Sequence, residues 1–142
     1  MKSIYHDTLV QVEAVKVADN EVLTGVGVDM LGYEGVAFIA AAGKGEVASF
    51  SMKVQQDTEA TFAGALDLES TAQAFTTGVA TDGIGIVDIY QPQERYVRPV
   101  LTVPNLNTAT PVTIISIRYG ARYVPEDSNV GKFKQSPEEG TA

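Results

Sequence analysis

Apolar and polar residues alternate with a period of two along most of this chain. In SFSMKVQ, Phe50, Met52 and Val54 fall on one side and Ser51, Lys53 and Gln55 on the other. Successive side chains of a strand point to opposite faces, so the pattern predicts a strand with one face on a core and one in water. In GVAFIAAAG, Val36 and Phe38 oppose Ala37 and Ile39, and all four are apolar, which predicts a more deeply buried strand. GIGIVDIYQP, bounded by glycines and a proline, predicts a strand from Ile84 to Tyr90.

Further along, Val97, Leu101 and Val103 share a face, with Arg98 and Thr102 opposite, and Val112 to Tyr119 is rich in β-branched residues. Between these two strands, PNLNTATP is expected to be a proline-bounded hairpin loop. The valines of TLVQVEAVKVA favour another strand, whereas FAGALDLES has room for a single helical turn. Glycines recur at short intervals through the first half, which suits turns rather than long helices. The pattern amounts to seven to nine short antiparallel strands, an all-β jelly roll or β-sandwich.

The domain is expected to span residues 1–124, including an N-terminal arm. From Pro125 the chain turns polar, with Val130 and Phe133 its only sizeable apolar side chains, and residues 125–142 read as an extended tail. The first residues lack a long apolar signal segment and no run is long enough for a membrane span, so synthesis and retention in a cytoplasm are expected, with no membrane partner.

Charge then changes the picture. The 142 residues carry a net charge of −8, yet residues 95–122 hold all four arginines and no carboxylate. Overall acidity argues against nucleic acid as a partner. Two readings of the basic segment stand. Its arginines pair across strands with neighbouring carboxylates, or they form a face that docks on an acidic partner or a second copy.

Candidate chemistry is sparse. There is no cysteine, and the one histidine, His6, stands beside Asp7 without a nucleophile pattern. GVGVDMLG and AAGKGE lack the residues of a phosphate loop and read as turns. Asp29, Asp82 and Asp88 are too dispersed for a calcium loop, and solvated turns account for them. Tyr90, Tyr96, Tyr119 and Tyr123 could form a sugar-stacking platform, but aromatic strand residues more often serve cores and interfaces. No catalytic residue, metal site or cofactor is expected.

The segment GIGIVDIYQPQERYVRPVLTV, a loop, and VTIISIRYGARYVPEDS resemble the closing strands of small head proteins of tailed bacteriophages. Arg95-Tyr96-Val97-Arg98 carries the first part of the resemblance and Ile114 to Pro125 the second. SFSMKVQQDTEATFAGA is similar to the family's middle strand running into an acidic turn, and the likeness extends over residues 30–125. DIYQPQ stands where many relatives carry a glycine-rich lead-in, so the loop entering the R-Y-V-R strand differs.

The resemblance implies a capsid cement or decoration protein, a jelly roll on the outer surface of the virion. Its expected partner is an HK97-type major capsid protein, and it is expected to be a homo-oligomer, dimer or trimer. The expected capsid and subunit contacts are Arg95, Tyr96, Arg98, Arg118, Arg122 and Tyr123, with Tyr5 and Phe133 from the two arms. The alternatives are a carbohydrate-binding β-sandwich and a tail or neck component.

Overall fold

The computed structural model describes residues 7–121. Within them ten strands form two antiparallel sheets: β1 (Leu9–Ala18), β2 (Val22–Thr24), β3 (Val28–Asp29), β4 (Gly35–Ala42), β5 (Ala48–Asp57), β6 (Leu66–Asp67), β7 (Gln73–Thr77), β8 (Gly83–Tyr90), β9 (Tyr96–Thr102) and β10 (Thr110–Tyr119). The first sheet has the order β1-β10-β4-β8. In the second, β9 and β5 form the centre, β2 and β3 flank β9, and β6 and β7 flank β5.

Treating β2/β3 as one interrupted edge and β6/β7 as the other leaves eight principal strands. Apart from the β5 to β6/β7 connection, each link between them crosses from one sheet to the other. That is the double Greek key of a jelly roll. The fold expected from the alternation is therefore present, but the PNLNTATP segment is not a hairpin loop. It carries the chain from β9 in the second sheet to β10 in the first. Leu106 within it is buried against the core, and its amide donates to Asp19 Oδ1 at 2.7 Å. One apolar side chain thus anchors a crossover in an otherwise polar loop.

The core lies between the sheets. Val36, Phe38 and Ala40 of β4 and Ile114 of β10 meet Phe50, Met52 and Val54 of β5 and Val97 and Leu101 of β9, all at 0% exposure. Burying each large apolar side chain contributes about 1.5–3 kcal/mol. Phe50 and Phe75 stack at 5.3 Å between β5 and β7. Gly85 of β8 admits that ring, since a Cβ there would stand 2.4 Å from Phe75 Cδ1.

Two irregularities interrupt the regular pairing. Opposite Arg98 and Pro99, the edge strand breaks into β2 and β3, and Gly25, Val26 and Gly27 occupy the space of two residues. Proline has no amide to offer a neighbouring strand, which suits an interruption at this place. Across the sandwich the register of β1 on β10 shifts between Val12 and Ala14, so that Glu13 is an extra residue turned inward.

The FAGALDLES segment contains no helix. Phe62 and Ala65 close successive turns before β6. Asp57 accepts the amides of Glu59 and Gly64 at 3.1 and 2.9 Å, a local arrangement that competes with a helical start.

Candidate interaction surface

The arginine-bearing strands end at one rim of the sandwich. There the turn after β3, the turn from β8 to β9 and the end of β10 come together around Asp29. Arg95 grips the Asp29 carboxylate with two parallel hydrogen bonds, Nε to Oδ1 at 2.9 Å and a terminal nitrogen to Oδ2 at 2.7 Å. Its guanidinium also lies 5.2 Å from the Tyr96 ring centre. The Arg95 contact, with help from the Leu31 amide, holds the Asp29 carboxyl below its ordinary range, and Asp29 in turn raises Arg95.

Arg118 approaches the same residue from between the sheets. It donates to the Asp29 carbonyl at 2.9 Å and lies 5.0 Å from the Tyr33 ring centre. Its Nε is buried without a partner, and burial lowers its pKa. Arg118 is therefore a structural cation joining the ends of the two sheets.

Arg98 differs from both. It points outward from β9 and gives two hydrogen bonds, at 2.9 and 2.8 Å, to the amide oxygen of Gln55 on β5. No carboxylate lies within ion-pair distance of it among the described residues. The Phe62 ring packs 4.7 Å from its guanidinium and meets Tyr96 edge-on at 6.5 Å. Gly27 is required beneath that ring: its φ is +89°, and an added Cβ would sit 2.5 Å from Phe62 Cε2. The outer face of the second sheet thus carries a cation on an aromatic base, next to Tyr96.

A groove of about 500 Å³ opens beside Arg95, lined by Met30, Tyr33, Glu34, Gln91 and Glu94 among others. Behind the rim, Glu13 is 3% exposed. It accepts the Gly27 amide at 2.6 Å, the Ser116 hydroxyl at 2.7 Å and the Gln11 side chain at 3.2 Å. This carboxylate connects β1, β10 and the broken edge strand.

Of the contact residues expected from sequence, the structure brings Arg95, Tyr96 and Arg98 to one surface and turns Arg118 inward. Tyr5, Arg122, Tyr123 and Phe133 lie outside the described residues, as do His6 and the expected domain boundary. Arg95 pairs with a carboxylate across strands, as the first reading of the basic segment expects, whereas Arg98 bonds the Gln55 amide.

The other candidates separate. Asp82 accepts the Lys44 amide in the turn between β4 and β5, and Asp88 accepts the Tyr119 hydroxyl at 2.6 Å. Burial and that neighbouring carboxylate push the Tyr119 phenol up. Tyr96 lies on the second sheet, away from Tyr90 and Tyr119 on the first, so these three form no common platform. Among the described residues no group of three or more His, Cys, Asp or Glu side chains is placed to hold a metal ion. No helix among them is long and apolar enough to cross a membrane. Gln55 and Phe62 beneath Arg98, and Glu13 behind the rim, are residues that the sequence did not mark, and Asp29 reads there only as a turn residue.

Neither a family model nor a curated protein matches the chain. Among solved structures it is similar to the PBSX exported protein XepA, with a TM-score of 0.54 and 14% identity over 94% of this chain. The match covers 43% of that protein, so the chain spans less than half of its neighbour's length. At this identity the likeness is one of fold.

Proposed function

We propose that this chain is a structural protein of a phage particle, which docks on the outside of a head built from an HK97-type major capsid protein and cements it without catalysis. The observation that carries the reading is Arg98. Its guanidinium lies over the Phe62 ring and is fixed by Gln55, yet among the described residues no carboxylate pairs with its charge. In a chain of net charge −8, such a cation fits an acidic partner surface. Arginine beside aromatic side chains is also the composition of interface hot spots.

Further support comes from the resemblance of residues 30–125 to phage head proteins, and the fold neighbour is a PBSX exported protein. Cementing requires only that the protein bind the expanded shell better than its precursor. A ligand shifts an equilibrium by its differential affinity and nothing more. Many weak contacts repeated over a shell then sum to a large effect.

The test is co-sedimentation of the purified protein with expanded cognate shells that lack it. A 15.1 kDa band in the pellet, with shells that now survive heating, is expected. Arg98→Glu should reduce that band at least tenfold while its melting temperature stays near wild type. Protein left wholly in the supernatant would refute cementing and turn attention to tail or glycan partners.

A further inference from the structure

The outer face of the first sheet is mostly apolar, with one row that is apolar across all four strands. Residues opposite one another in an antiparallel pair point the same way. Val36, Phe38 and Ala40 point into the core, so Ala37 and Ile39 point out, and the register carries that outward side to every strand. Ile39 stands between Ile115 on β10 and Ile86 on β8, and Ile115 in turn neighbours Val12 on β1. Val12, Val15 and Val17 are 57%, 69% and 63% exposed, and Ile84 and Ile86 are 61% and 54%. The one carboxylate on this side among the described strand residues is Asp88, at a corner and bonded to Tyr119.

Sequence alternation predicted burial for both sides of β4, and among the described residues only one side is buried. We infer that the other side is covered by a second copy of this chain, the two first sheets packing face to face about a two-fold axis. Three observations select this occupant.

Charge is the first. A net charge of −8 opposes contact between copies everywhere except where carboxylates are missing, and this face is such a place. A face whose charge is confined to one corner carboxylate also offers little to a basic or acidic partner. Area is the second. Eight paired residues rising about 3.3 Å each, on four strands about 4.8 Å apart, make a face of roughly 500 Å². Two such faces bury about 1,000 Å², which meets the lower threshold for a biological interface. Shape is the third. Apart from the bulge at Glu13, the four-stranded antiparallel face has the form that packs on its own copy at the aligned angle of sandwich sheets, about 30°, and an isologous contact closes at two copies.

The inference does not rest on the proposed function, because it concerns the protein alone in solution. Sedimentation equilibrium of the full chain should give twice 15.1 kDa at micromolar concentration. Ile86→Glu should return the single-copy mass with an unchanged circular dichroism spectrum, since the side chain points away from the core. Thr24→Lys, on the outer face of the second sheet, should leave the mass doubled.

The chain has no cysteine, so Ile39→Cys at the centre of the face is a clean probe. A short bismaleimide should join two copies through it and should fail to join Thr24→Cys. A single-copy mass for the wild type, a trimer or larger ring, or a doubled mass that Ile86→Glu leaves intact would each overturn the inference. A failure of shell binding would leave it standing.

Discussion

Glu13 provides the sharpest test of how this sandwich is held together. Truncation to alanine removes the acceptor of the Ser116 hydroxyl, which is 0% exposed, and of the Gly27 amide. The third donor, Gln11, keeps the Gly27 carbonyl at 3.2 Å. Each buried polar group left without a partner costs about 1–3 kcal/mol. Against this, alanine no longer has to keep a carboxylate out of water, an opposing contribution of several kcal/mol at most. The two orphaned donors together cost about 2–6 kcal/mol, and the offset lowers the expected net destabilisation for Glu13→Ala to about 1–3 kcal/mol.

Glu13→Gln behaves differently. Its amide oxygen can accept from Gly27 while its NH₂ donates to Ser116 Oγ, so the loss should stay below about 1 kcal/mol. Urea unfolding followed by circular dichroism reads both values, with an unchanged slope showing that only stability moved. A Glu13→Ala variant within about 1 kcal/mol of wild type would refute the role assigned to this carboxylate. So would a Gln variant as unstable as the Ala variant.

The remaining predictions concern pH, packing and the other arginine. Asp29, Asp57 and Asp67 all have carboxyl pKa values below the ordinary 3.8 in the folded state, led by Arg95, the Glu59 amide and Lys53 respectively. A depressed folded pKa adds stability that is complete above the unfolded value and is lost as pH falls through the folded one. Calorimetry should therefore show a flat melting temperature above about pH 5 and a fall below about pH 4, shallower in Asp57→Asn. Gly85→Ala drives a methyl group into Phe75 and should cost about 1–3 kcal/mol in denaturant unfolding; no measurable loss would mean that the ring has room to move. Arg118→Glu places a carboxylate between the sheets near Asp29 and Glu13, so its melting temperature should fall well below that of Arg98→Glu.

Much of the fold was legible because period-two alternation is a direct record of which side of a strand meets the core. Phe50, Met52 and Val54 show it without ambiguity. Which sheet a strand joins is not recorded in that pattern. Thus β9 and β10 read as a hairpin, although Leu106 in the intervening loop was a visible sign that the loop enters the core. In β4 the alternation was read correctly as apolar on both sides, but apolar character does not say whether the cover comes from the same chain.

The basic segment stood out by composition, whereas its partners could not. Asp29 is 66 residues from Arg95, and Gln55 is 43 from Arg98. Only the crossovers of the jelly roll bring them together. Glu13 was hidden for a different reason. A carboxylate in an alternating strand reads as solvent-facing, and the one-residue bulge that turns it inward leaves no mark in the pattern.

The two proposals constrain each other in a way that can be measured. Face-to-face pairing through the first sheets leaves the two second sheets pointing in opposite directions, so a flat shell cannot meet both faces broadside. Arg98 lies two residues from the start of β9, close to the rim that holds Arg95 and Asp29. A two-fold axis running along the strands would bring both rims to the same side of the dimer. Each dimer would then hold the shell at two points, and linking two weak sites raises apparent affinity by about 10²–10⁴. Ile86→Glu, which leaves Arg98 untouched, should accordingly weaken shell binding by at least a hundredfold in a sedimentation titration. Equal affinity of this variant and the wild type would show that the copies bind one at a time, with the axis across the strands instead of along them.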